Sequence, residues 1–141
     1  MNEVTLIGRF VREVELTTTS NGTRVLNNVL AIHRYHRQAD GEEITDFIPV
    51  VFWNHLAEIV SKHHQKGDLI AVSGRMQSRN YENKHQQKVY VVECHVSEMT
   101  LLPNHRYASQ AMRTDADKEE TQSLSPEEKA LTDEIIEQMK V

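Results

Sequence analysis

The chain has 141 residues, 38 % of them hydrophobic and 26 % charged, and a formal net charge of -5. That length gives one domain with room for a tail, and no apolar run approaches the roughly 20 residues of a membrane helix. A single cysteine, Cys94, excludes an intrachain disulfide and a cysteine-based zinc site.

Met1-Asn2-Glu3-Val4 carries neither a basic nor an apolar leader, so the cytoplasm is the expected compartment. Val4 to Phe10 mixes apolar and polar residues around Gly8, and a lone glycine within a strand points to a bulge or a close backbone approach. The β-branched run Val14 to Thr19 leads into Ser20-Asn21-Gly22-Thr23, where Asn-Gly between strand-like runs predicts a hairpin. Val25 to His33 is the return strand, and a polar loop runs from about His36 to Glu43. Thr45 to Trp53 is the third strand. Asn54 is placed to cap a helix whose apolar stripe is Leu56, Ile59, Val60 and His63. Lys66-Gly67 ends that helix, with Gly67 suited to a left-handed position. Asp68 to Arg79 and Lys88 to Leu102 are the fourth and fifth strands, joined by a polar hairpin loop, and Pro103 closes the unit.

Five strands with one short helix between the third and the fourth, in about a hundred residues, fit an all-β, partly open OB-fold barrel. A generic small barrel or sandwich fits the same order less well, because of the single mid-chain helix. Residues 1–104 form this domain and residues 105–141 an acidic tail.

The two parts differ in charge. Residues 1–106 hold twelve basic and twelve acidic side chains, whereas residues 107–141 hold four basic and nine acidic ones, so the tail carries the whole deficit. Ser109 to Ser125 has too little apolar surface to offset ordering entropy and is expected to be disordered. Ser125-Pro126-Glu127-Glu128 then reads as a helix start with a capping box. Leu131, Ile135 and Met139 fall on one stripe, with Ile136 beside it, of a short helix over residues 126–139, either a frayed surface helix or one that docks on another protein.

Catalytic patterns are weak. His55 and Glu58 make the best pair for a hydrolytic metal site, but no partner histidine follows at the next turn. Cys94, between Val92 and Val96, reads as a small buried hydrophobe. No glycine-rich phosphate loop is present, so neither an enzyme nor a cofactor is expected. Aromatic and basic residues, in contrast, interleave. Phe47 and Trp53 share a strand face about 20 Å long at ~3.3 Å per residue. Tyr81 follows Arg79, and Tyr35 lies among Arg34, His36 and Arg37. Arg75, Lys84 and Lys88 add cations near these rings. Rings that stack bases beside cations that track phosphates suit single-stranded nucleic acid. Each ring equally fits a core position, and the arginines could serve only to solubilise loop tips.

Several blocks resemble bacterial single-stranded DNA-binding proteins: Asn2-Glu3-Val4-Thr5-Leu6-Ile7-Gly8-Arg9, Asp46 to Trp53, Leu56-Ala57-Glu58, Lys66 to Ile70, and Val72 to Asn83. The similarity runs from Asn2 to Leu102 in one register. It implies an OB-fold protein, assembled as a homotetramer, that binds single-stranded DNA without sequence preference in replication, recombination and repair on the nucleoid. The family's stacking positions fall on Phe47, Trp53, Tyr81 and, with a histidine instead of a larger ring, His36. Its basic positions fall on Arg9, Lys66 and Arg79, while His55, Gln77 and Asn80 stand where relatives are often basic. Weaker affinity, or a smaller salt slope, than in the best-charged relatives is therefore expected, the slope being about -0.7 per phosphate neutralised. The usual acidic tip closing on Pro-Phe, which recruits repair and replication proteins, is replaced by Glu134 to Val141. That points to a paralogue, phage or plasmid version. The acidic tail is also expected to compete with DNA, so that truncation near Tyr107 tightens binding at low salt.

Overall fold

The computed structural model of the protein describes residues 1–35, 39–103 and 125–139. The described chain runs β1 (Val4–Phe10), β2 (Thr17–Thr18), β3 (Arg24–His33), β4 (Thr45–Trp53), α1 (Asn54–His63), β5 (Leu69–Glu82), β6 (Lys88–Leu101) and α2 (Pro126–Met139). One sheet holds the strands in the order β1-β5-β6-β4-β3-β2, and β1 also pairs with β3. Five strands thereby close into a ring, with β2 as a short addition beside β3. Every pairing is antiparallel except β4 with β6, where Val50 lies beside Cys94 and Val51 beside His95.

The ring is filled from one face of each strand. Leu26 and Leu30 of β3, Val50 and Phe52 of β4, Ile70 and Val72 of β5, and Cys94 and Val96 of β6 all enter it. Phe10 joins them, and α1 closes one end with Ala57 and Val60. Cys94 is fully buried, and burial pushes its thiol pKa above the ordinary value, so it is an inert hydrophobe, as the strand pattern implies.

Two glycines let backbones meet. Gly8 sits where β1 passes from β5 to β3, and a Cβ there would lie 2.8 Å from the Ala31 carbonyl oxygen. This is the close approach that the lone glycine predicts. A Cβ on Gly74 would lie 2.2 Å from the carbonyl oxygen of His95, beside the register shift between β5 and β6.

Three local expectations are corrected. Of the run Val14 to Thr19, only Thr17 and Thr18 join the ladder, against Val25 and Arg24. The fully buried Asn28 takes over the preceding stretch: its amide donates to the carbonyls of Arg12 and Glu13 and accepts from the Arg12 N–H. Asn54 does not cap α1 with its side chain; it is the first helical residue, with φ of 51°. At the other end of α1 the buried histidine is His64, edge-on to Phe10 at 5.6 Å, and His63 is exposed. Gly67 does take a positive φ of 88°, but beyond the helix, where its N–H bonds the Phe10 carbonyl and ties the approach to β5 onto β1.

α2 starts on the predicted capping box. The Ser125 hydroxyl accepts from the Glu128 N–H, and the Glu128 carboxylate accepts from the Ser125 N–H. Its buried stripe is rotated from the predicted one: Thr132, Ile136 and Met139 are buried, Ile135 is half-buried, and Leu131 is exposed. Thr132 tolerates burial because its hydroxyl donates to the Lys129 carbonyl at 2.9 Å. The predicted disordered run from Ser109 lies, up to residue 124, outside the described residues.

Candidate nucleic-acid interface

Strand register fixes which side chains share the outer surface. Residues directly opposite one another on paired strands point to the same face. Val51 lies opposite Asn27 and beside His95, Trp53 opposite Val25, and Phe47 opposite Ala31. On the other side of β6, His95 lies opposite Arg75, Glu93 opposite Gln77, Val91 opposite Arg79, and Val89 opposite Tyr81. Phe47 and Trp53 of β4 and Arg75, Arg79 and Tyr81 of β5, singled out from sequence on two separate segments, therefore occupy one continuous outer face. Arg9 joins the β3 edge of this face through its pairing with Ala31, and its guanidinium donates to the Gly67 carbonyl.

Trp53 is held in place from β6. Its indole N–H donates to His95 Nδ1 at 3.1 Å, and the two rings are near-parallel with centroids 6.1 Å apart. His95 Nε2 meets Glu93 Oε1 at 2.9 Å. Since Nδ1 accepts from Trp53, Nε2 carries the hydrogen and donates it to the carboxylate. The same carboxylate oxygen accepts from Arg79 Nε at 3.3 Å, and the Arg79 guanidinium lies 5.9 Å from the centre of the Tyr81 ring. A chain of contacts thus runs Trp53, His95, Glu93, Arg79, Tyr81 across three strands. His95 and Glu93 were not singled out from sequence. Their signal was the alternation of Val89, Val91, Glu93 and His95 along β6, legible only once β6 is set opposite the Arg75 to Tyr81 stretch.

The other sequence candidates are more dispersed. Lys66 is exposed and lines a cleft of about 840 Å³ together with Trp53, Gln77, Arg79, Glu93 and His95. His55 is exposed on the first turn of α1. Lys84 stands in the β5–β6 turn. Lys88 lies opposite Glu82 and so points to the ribbon face away from Tyr81; the structure does not bring it to the aromatic face. Arg34 is committed to Asp46 by two hydrogen bonds, of 2.8 and 2.7 Å, which hold the Asp46 carboxyl below its usual pKa. Tyr35 is fully exposed. His36 and Arg37 lie outside the described residues.

α2 rests on this surface as well. Ile136 and Met139 pack with Val11, Val25, Val29 and Val51, and Ala31, Phe47 and Ile135 flank the cluster. Arg79 Nη2 donates to the Gln138 carbonyl at 2.9 Å, and Arg12 pairs with Asp133.

Residues 1–102 match the family model described as Single-strand binding protein family. The chain is 45 % identical over 93 residues to a Staphylococcus aureus protein named single-stranded DNA-binding protein 1; the match covers 66 % of this chain and 60 % of that relative's length. It is 37 % identical over 127 residues to a Lactococcus lactis protein of the same name, covering 89 % of this chain and 85 % of the relative. A Streptococcus pyogenes protein of that name is 41 % identical over 102 residues, covering 72 % and 78 %. With an outer sheet face that gathers aromatic and cationic side chains, and a family match over most of its length, the chain belongs to the single-strand binding protein family.

Proposed function

We propose that the protein binds single-stranded DNA without sequence preference through the outer face of an OB-fold barrel. The observation that carries this reading is the register that gathers Phe47, Trp53 and Tyr81 with Arg75 and Arg79 on one sheet face. Trp53, 37 % exposed, offers a ring for stacking while its indole N–H stays bonded to His95. Base stacking of this kind is worth about 1–3 kcal/mol per ring, and Lys66, Arg9 and the arginines supply phosphate contacts. Binding is passive. It coats exposed strands during replication, recombination and repair in the cytoplasm and calls for no catalytic step.

The protein acts as a homotetramer in this reading. Ile7, Tyr90 and Val92 are 55, 70 and 53 % exposed, more apolar surface than strand faces usually leave in water. Linked copies raise the effective concentration of each next site, so modest individual sites give tight overall binding. Trp53 is the only tryptophan, so its emission reports the site directly. Oligothymidine is expected to quench it and to shift the protein in a gel, with affinity falling as salt rises. Unchanged emission together with no gel shift at low salt would reject the reading. Sedimentation at about four times the chain mass of 16.3 kDa tests the assembly, and a dimer with a short footprint would indicate a protein-interaction module instead.

A further inference from the structure

The surface read above as the DNA face is already covered in part by the chain's own α2. Ile136 and Met139 are only 8 and 5 % exposed, and both are buried against outer-face valines of β3 and β4. Two groups assigned to DNA are engaged at the same time. Phe47 flanks that apolar cluster, and Arg79 gives a guanidinium hydrogen bond to a carbonyl of the last helical turn. A cation at that end of a helix meets the negative pole of its dipole, as it would meet a phosphate. Met139 and Lys129 also line the cleft that contains Trp53 and Lys66.

We propose that the outer face of β3 and β4 is also a helix-docking groove, that its occupant is α2 of the same chain, and that α2 and single-stranded DNA exclude one another there. The proposal rests on the DNA reading above. A helix of 14 residues is marginal in water by itself, so α2 owes its folded state to the groove, and a strand laid over the face of Val51, Phe47 and Arg79 competes with it for that support. The contact differs in kind from a charged tail lying on a basic groove. Its buried side chains are Ile136, Met139 and Thr132, so salt screening leaves most of it intact.

The test uses the full-length chain with Ile136→Ser and, separately, Met139→Ser. Neither residue belongs to the DNA site. Binding of labelled oligothymidine is followed by anisotropy at low and high salt. A helix docked about 90 % of the time lowers apparent affinity about tenfold, so each variant is expected to bind up to about tenfold more tightly at both salt concentrations. Unchanged affinity would overturn the proposal. So would a gain confined to low salt, which would assign the effect to tail charge. Hydrogen exchange in the unaltered protein gives a second measurement. Amides of residues 126–139 should be protected without DNA and exchange freely with it, and protection that survives saturating oligothymidine would overturn the exclusion. If the unaltered protein and both variants all fail to bind, the DNA reading itself falls, and the exclusion with it.

Discussion

β4 has two apolar faces that meet different fates. Val50 and Phe52 point into the ring and are sealed by Leu26, Leu30, Ile70 and Cys94. Phe47, Val51 and Trp53 point outward, where among the described residues no second layer of sheet covers them and α2 spans only part of the surface. Inside, aliphatic groups and the two phenylalanines Phe10 and Phe52 satisfy one another completely. Outside, the apolar residues share their surface with Arg79, Glu93 and His95, which need hydrogen-bond partners and find them in one another and in Trp53. The difference teaches how to separate packing from recognition on a small barrel. A strand whose second face is also apolar, and also carries polar tethers, is holding that face for something besides its own core.

Changes inside the ring should break this contrast most severely. Phe52→Ala empties a fully buried aromatic site and is expected to cost about 3–5 kcal/mol, read as a lowered denaturation midpoint with DNA binding lost along with the fold. On the outer face, Trp53→Ala should do the reverse, costing about 1–3 kcal/mol of oligothymidine affinity with the midpoint little changed. A melted Trp53→Ala barrel would put Trp53 with the core after all. His95→Ala removes the acceptor of the indole N–H and the donor to Glu93, and a loss of about 1 kcal/mol in binding is expected. His95→Gln, which can still accept, should recover part of it. The smallest effect belongs to Arg34 and Asp46, far along β3 and β4. Hydrogen bonds from Arg34 hold the Asp46 carboxyl below its ordinary pKa. Its contribution is complete above the ordinary carboxylate value of about 3.9 and fades as pH falls through the lowered one. Melting curves of Asp46→Asn should therefore lose a slight acid dependence below about pH 4 and match the parent's slope at neutral pH.

Much of the architecture was legible because period-two alternation marks strands whatever lies beyond them. β3, β4 and β6 begin and end within a residue of the predicted limits, and Phe47 and Trp53 share a face as their spacing requires. What escaped depends on partners distant in the chain. Asn28 looks like an ordinary polar strand residue until its amide is seen bonding Arg12 and Glu13, which removes that stretch from the ladder. His63 fits the helical stripe better than His64, yet the chain leaves α1 at that point and turns His64 toward Phe10. The stripe on α2 is rotated because Arg12 pairs with Asp133 and Thr132 satisfies its own hydroxyl. The Glu93–His95 pair follows the alternation of β6, but its partners Trp53 on β4 and Arg79 on β5 are ones that only the register brings to it.

The parallel pairing of β4 with β6 has a consequence for how the protein comes into being. Val50 must wait for Cys94, and Val51 for His95, so the ring cannot close until α1, β5 and most of β6 have been made. Contacts so far apart in sequence slow the search for the native topology. During synthesis, β3 and β4 can pair early as a hairpin, but Leu26, Leu30, Val50 and Phe52 then stay open to water on one side. The growing chain is most vulnerable to aggregation in that interval, which ends only when the last long strand docks.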